Sequence, residues 1–151
     1  MKYFILCSTV ALSFLMHGAT SVLSLKTLST GKTAQAALEE LFASKKPVLA
    51  KFYSTSCPPC KRMKPIFESL ARLVTSHHIH GKEMDAPLHE KVTFLEIETG
   101  HYPSIAQQFD IFRNPTFVYF ANGKEVDRII GATSLGILRS KIEHHFKIKA
   151  H

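Results

Sequence analysis

The sequence predicts an α/β domain with a mixed central β-sheet and helices on both faces. Three observations predict it. The apolar run Val48-Leu49-Ala50-Lys51-Phe52-Tyr53 is strand-like and leads into a helical pattern from Cys60 onward. A second apolar run, Val92 to Ile97, completes a strand–helix–strand unit, which requires a parallel pair. Near the end, two strand-like runs are joined by Asn122-Gly123, a hairpin signal and hence an antiparallel pair. Parallel and antiparallel pairs in one sheet, with crossover helices, give two covered faces.

Taken in order, the N-terminus reads as a signal peptide over residues 1–21. Lys2 gives a positive start, Phe4 to Met16 is an apolar core, and Ala19-Thr20-Ser21 fits a small-residue cleavage site. The apolar run falls short of the ~20 residues of a membrane span, and His17 interrupts it. An uncleaved anchor extending to Leu25 is the alternative. Residues 22–151 form the folded domain on this reading. The expected location is an extracytoplasmic compartment, where disulfides form and persist. Cys7 falls in the leader, which leaves Cys57 and Cys60.

Ala34, Ala37, Leu38, Leu41 and Phe42 recur at helical spacing, with Thr33 as cap and Lys45-Lys46-Pro47 as stop. Val48 to Tyr53 is a buried strand. The helix that follows is expected to run to about Ser76, kinked at Pro65. His77 to Lys91 is polar, contains Gly81 and Pro87, and reads as a loop insertion. Val92 to Ile97 is a strand, Ser104 to Phe109 a short helix, and Thr116 to Phe120 and Glu125 to Ile130 the hairpin strands. Thr133 is the expected cap of a last helix, Leu135 to Phe146.

The 151 residues are 45% hydrophobic, enough for one core. The formal charge of +7 is spread along the chain, without the basic stripe and interleaved aromatics of a nucleic-acid binder, so no nucleic-acid partner is expected.

Chemistry concentrates in Cys57-Pro58-Pro59-Cys60. A Cys-x-x-Cys at a strand-to-helix junction reads as a thiol–disulfide site. The helix start supplies unpaired N–H groups and the positive end of a dipole, both favouring a thiolate. A ring this small constrains the unfolded chain little, so reversible chemistry explains the pair better than a structural staple. Cys57, at the helix start, is the candidate nucleophile, and Cys60, one turn in, the resolving thiol. Pro58 and Pro59 have no N–H, which removes two donors to a Cys57 thiolate and stiffens the turn. Lys51 stands mid-strand among apolar residues and needs a partner. Glu96 on the next strand is the candidate, either as a proton relay to Cys60 or as a structural ion pair. His77, His78, His80 and His89 cluster in the insertion, but their spacing from Cys60 does not match a zinc finger, and no metal site is assigned. Read from the residues alone, Pro115 is an ordinary trans proline at a strand start.

From Ala34 to Phe146 the chain resembles the thioredoxin family. The resemblance rests on Phe52-Tyr53-x-x-x-Cys57-x-x-Cys60-Lys61, on Pro65, on Asn114-Pro115-Thr116, and on Asn122-Gly123 followed by Gly131. It implies a thioredoxin fold and no cofactor beyond the dithiol. It makes Pro115 a cis-proline that sets the Asn114 backbone beside the cysteines to pair with an extended substrate. With the leader, the chain is similar to periplasmic Dsb-type oxidoreductases. This implies a monomer that acts on disulfides of exported proteins and is recycled by a membrane reductase of the DsbD type. There are departures. Tyr53 and Ser56 stand where the family carries tryptophans, Pro58-Pro59 replaces the frequent Gly-Pro, and Lys51 and Glu96 exchange the family's buried Asp and Lys. Two other functions remain open: an electron donor for cytochrome c maturation, and a metal-binding carrier using the cysteines and loop histidines.

Overall fold

The computed structural model describes residues 21–79 and 82–151, with the backbone alone described for 76–79 and 82–85. All but Ser21 of the expected leader lies outside the described residues. No helix among the described residues is long and apolar enough to cross a membrane.

The elements are β1 (Leu23–Ser24), α1 (Leu25–Leu28), α2 (Ala34–Ala43), β2 (Val48–Tyr53), α3 (Pro58–Ala71), β3 (Val74–Ile79), β4 (Lys82–Pro87), α4 (Leu88–Lys91), β5 (Thr93–Glu98), α5 (Pro103–Gln108), β6 (Thr116–Ala121), β7 (Lys124–Ile130) and α6 (Leu135–Phe146). The central sheet has the order β1-β5-β2-β6-β7. β5 runs parallel to β1 and β2, whereas β6 is antiparallel to β2 and β7, so the sheet is mixed.

Alternation along the strands divides the core in two. Leu49, Phe94, Phe117 and Tyr119 meet Met63, Phe67 and Leu70 of α3 and Leu138 and Ile142 of α6 on one face. Val48, Ala50, Phe52, Leu95, Ile97 and Val118 meet Leu25 of α1, Ala37 and Leu38 of α2, and Ile105 of α5 on the other. Helices therefore cover both faces, as the sequence predicts.

Local chemistry sets the ends. Thr33 Oγ1 accepts from the Ala36 N–H and starts α2. The β6–β7 turn has Asn122 and Gly123 both at positive φ, the two-residue hairpin geometry that matches strand twist. A Cβ on Gly123 would also sit 3.2 Å from the Phe42 Cβ, so this turn packs on α2 only as glycine.

Four expectations are corrected. α3 ends at Ala71 instead of Ser76, because the next residues enter a ladder. The Val74 N–H and C=O pair with the backbone of His151, and Thr75 Oγ1 donates to the Ala86 carbonyl. The segment His77 to Lys91 is a hairpin, β3–β4, followed by the short α4, and not a loop. Ser134, not Thr133, caps α6, its Oγ accepting from the Ile137 N–H at 3.3 Å. β1 and α1 precede the first expected element. Leu25 there is fully buried against the sheet.

Candidate active site

β2 delivers the chain to the sheet's C-terminal edge at Tyr53. Ser54, Thr55 and Ser56 turn it, and Cys57 becomes the N-cap of α3. Pro58 and Pro59 occupy the first helical positions, where a missing N–H costs nothing. The first free amide is therefore that of Cys60, and it donates to Cys57 Sγ at 3.2 Å. An N-cap side chain accepts there, so the sulfur takes the place a capping oxygen fills. Cys57 and Cys60 form a disulfide with a Cα–Cα distance of 5.2 Å. Cys57 is partly exposed and Cys60 buried. A nucleophile from outside reaches Cys57 first.

Asn114–Pro115 is a cis bond. The Asn114 carbonyl oxygen lies 3.5 Å from Cys57 Sγ. Its side chain turns inward: Nδ2 donates to Thr99 Oγ1 at 2.9 Å, and Thr99 donates to the Tyr53 carbonyl through both N–H and Oγ1. The loop before β6 is thereby tied to the ends of β5 and β2. The Gly131 N–H donates to the Pro115 carbonyl at 2.7 Å and closes the other side.

Lys51 is 1% exposed, and the parallel register places it directly opposite Glu96. Its Nζ is ion-paired with Glu96 Oε1 and lies 4.9 Å from the centroid of the Phe67 ring. A cavity of about 260 Å³ is lined by Lys51, Glu96, Cys60, Tyr53, Lys61 and Lys64. The pair thus shares a cavity with Cys60, and Cys57 is not in its wall. Burial first, and then the Glu96 and Glu98 carboxylates, push the Tyr53 phenol above its ordinary range. Burial alone would raise Glu98. Hydrogen bonds from the His101 ring and backbone, and from the backbone of Thr55, hold it lower than usual.

The structure thus brings together Cys57, Cys60, Pro58, Pro59, Asn114 and Pro115 around one disulfide, with Lys51 and Glu96 behind it. Thr99 and the Glu98–His101 pair escaped the sequence reading. They sit just past a strand end, and only tertiary placement brings them to the site. His89 Nδ1 is within hydrogen-bonding distance of the Ala71 carbonyl, at 3.0 Å. The side chains of His77, His78 and His80 lie outside the described residues. A larger cavity, about 540 Å³, lies between β7 and α6, where Asp127 is already engaged by Lys141 and His145.

A sequence profile of the thioredoxin family matches residues 29–144. The chain belongs to the thioredoxin family. It is 36% identical over 109 residues to thioredoxin Y1 of Arabidopsis thaliana chloroplasts, covering 72% of this chain and 55% of that one. It is also 36% identical over 105 residues to a thioredoxin-like protein of Synechocystis sp., covering 70% of this chain and 87% of that one. Among solved structures, the Nicotiana alata thioredoxin NaTrxh superposes with a TM-score of 0.64 at 25% identity, over 83% of this chain and 93% of that one. The chain spans little more than half the length of the chloroplast relative. The thioredoxin fold read from the sequence is the fold observed.

Proposed function

We propose that this thioredoxin-family chain is an exported thiol–disulfide oxidoreductase that reduces or isomerises protein disulfides through Cys57 and Cys60. The observation that carries the reading is the disulfide at the start of α3, with Cys57 accessible, Cys60 buried, and the Cys60 N–H aimed at the outer sulfur. That amide and the helix start favour a thiolate on Cys57 once the bond is reduced.

In the reductive direction, the Cys57 thiolate attacks one sulfur of a substrate disulfide. An S–S bond forms between them, and the other substrate sulfur leaves as a thiolate that takes a proton. Cys60 then loses its proton and attacks Cys57. The mixed disulfide breaks, the Cys57–Cys60 bond forms, and the substrate leaves with both thiols. Two electrons and two protons pass from the chain to the substrate. The Asn114 backbone, 3.5 Å from Cys57 Sγ, is placed to pair with an extended substrate segment. Glu96, ion-paired with Lys51, lines the same cavity as Cys60, which supports a role for it in receiving the Cys60 proton.

Export rests on the leader at residues 1–21, and with it the similarity to Dsb-type reductants, chlamydial DsbH among them. The partners on this reading are exported disulfide proteins, with a DsbD-type membrane reductase restoring the dithiol of a monomer. Fractionation of expressing cells, with a mature N-terminus near residue 22, checks the export.

Serine variants test the chemistry. Cys57→Ser is expected to abolish insulin reduction. Cys60→Ser is expected to accumulate mixed disulfides through Cys57, because the resolving thiol is gone. Alkylation showing Cys60 as the faster-reacting thiol would reverse the roles.

A further inference from the structure

We propose that the face around the disulfide selects acidic partners: a protein disulfide bordered by Asp and Glu, with an apolar side chain seated against Phe112. This rests on the oxidoreductase reading and adds its substrate class. Phe112 is 86% exposed, the most open of the large apolar side chains among the described residues. It lies two residues before Asn114, whose carbonyl touches Cys57 Sγ. Ile130, 59% exposed, pairs in register with Thr116 just beyond Pro115. An aromatic and an aliphatic side chain thus stand open on either side of the Asn114–Pro115 bond that borders the reacting sulfur, where burial by a partner would be favourable.

The exposed charges on this face are mostly positive. Lys61, Arg62 and Lys64 on the first turns of α3, and Arg113 between Phe112 and Asn114, are all exposed. Among the described residues none of the four is in an ion pair, although Lys32, Arg128, Arg139 and Lys141 elsewhere each have an acidic partner. The acids nearby do not cancel them. Glu96 is held by Lys51 and Glu98 is hydrogen-bonded by His101, which leaves Asp110 of the loop and Glu68, one turn after Lys64, as two acids against four exposed cations. The tip itself, Pro58-Pro59, offers neither charge nor N–H. Discrimination therefore falls to the flanks. Lys61 and Lys64 line the Cys60 cavity and Arg113 precedes Asn114, so these cations flank the disulfide and favour acidic partners over basic ones, an effect screened over a Debye length of about 8–10 Å at ordinary salt.

The test uses the full chain, reduced, with three synthetic peptide disulfides of identical ring sequence and acidic, neutral or basic flanks. At low salt the acidic peptide is expected to be reduced with a kcat/KM about tenfold above the basic one, within the usual range of electrostatic steering. The ratio should fall toward unity as salt rises. Charge reversal by Lys61→Glu with Arg113→Glu is expected to invert the order. Lys149→Glu, in the C-terminal segment whose His151 pairs with Val74 past the opposite end of α3 from Cys57, is expected to keep it, separating this face from the net charge. Phe112→Ala is expected to raise KM for the acidic peptide with kcat little changed. Equal rates for the three peptides, or an order that Lys149→Glu inverts equally well, would overturn the proposal while leaving the oxidoreductase reading intact. Failure to reduce even the neutral peptide would remove both.

Discussion

Lys51 was conspicuous in the sequence as a charge in a strand of apolar residues, and its partner followed from elementary cost. An ammonium that is 1% exposed cannot stand alone, and the nearest strand offers Glu96 in register. The structure joins the two and sets the pair in the Cys60 cavity. Removing one partner leaves the other charge poorly solvated. Lys51→Met is therefore expected to destabilise the chain by about 3 kcal/mol, toward the lower end for buried pairs because water reaches Glu96. Lys51→Met with Glu96→Leu should cost less than the single change. If Glu96 takes the Cys60 proton, Glu96→Gln should also slow release of mixed disulfides while leaving their formation unchanged. Denaturant titrations of the single and double variants check the first point. Equal stabilities would show the pair to be electrostatically idle. Quenched-flow trapping of the mixed disulfide checks the second. The cysteines, the prolines and this pair were legible because each violates a local expectation: reactive thiols, a helix start without amides, a charge in a core strand. Thr99 violates nothing. It is an ordinary residue after β5, and only the fold shows it holding Asn114.

At the scale of elements, the start of α3 sets the redox poise. Its dipole and the Cys60 amide act on Cys57, but Pro58 and Pro59 remove the two earlier amides, and no histidine stands between the cysteines. Thiolate stabilisation is limited to one hydrogen bond and the helix end. The expected potential is about −230 to −280 mV, near that of thioredoxin and far from the about −120 mV of DsbA. Equilibration with glutathione measures it, and a value near that of DsbA would make the protein an oxidant. The same element shows where sequence reading stops. Its beginning is fixed by local chemistry: an N-cap, prolines at the first positions, and apolar Met63, Phe67 and Leu70 at helical spacing. Its end is not. Val74 and Thr75 leave the helix because distant groups, His151 and Ala86, complete their hydrogen bonds. The β3–β4 hairpin hid for a related reason, since its polar strands carry no apolar alternation. β1 is two residues long and gives no periodicity at all. At α6, Thr133 and Ser134 are equivalent in composition, and only the backbone angles decide for Ser134.

For the molecule as a whole, two cores on either side of one sheet make stability depend on a few ionisable groups at their margins, on both sides of neutrality. Asp127 joins β7 to α6. Burial alone would raise it, but hydrogen bonds from Lys141, His145 and the Arg128 N–H hold it below its ordinary 3.8. Glu98, at the redox end, is held below its ordinary 4.5 by His101 and Thr55 against the same effect of burial. A carboxylate lowered in the folded state contributes stability that is complete above its unfolded value and is lost as pH falls through the folded one. Both therefore place an acid limb below about pH 4. Tyr119 behaves oppositely. It is fully buried, its hydroxyl donates to the Leu138 carbonyl, and burial together with Asp127 pushes it above its ordinary 10.0. Tyr53 is raised as well. A phenol raised on folding keeps its contribution below the unfolded value and loses it as pH climbs toward the folded one, which places an alkaline limb above about pH 10. Unfolding free energies are therefore expected to be flat between these limits and to fall outside them. Asp127→Asn should flatten the acid limb and soften the alkaline one only slightly, since burial is the larger cause of the Tyr119 shift. Tyr119→Phe should do the reverse, at a cost near neutrality within about 1 kcal/mol, since its hydrogen bond is long. Urea titrations across the pH range check this. An acid limb unchanged in Asp127→Asn would mean that its contacts with α6 carry no net stability. α6 would then be held to the sheet by apolar packing alone, Leu138 and Ile142 in one cluster with Tyr119 of β6 and Ile129 of β7.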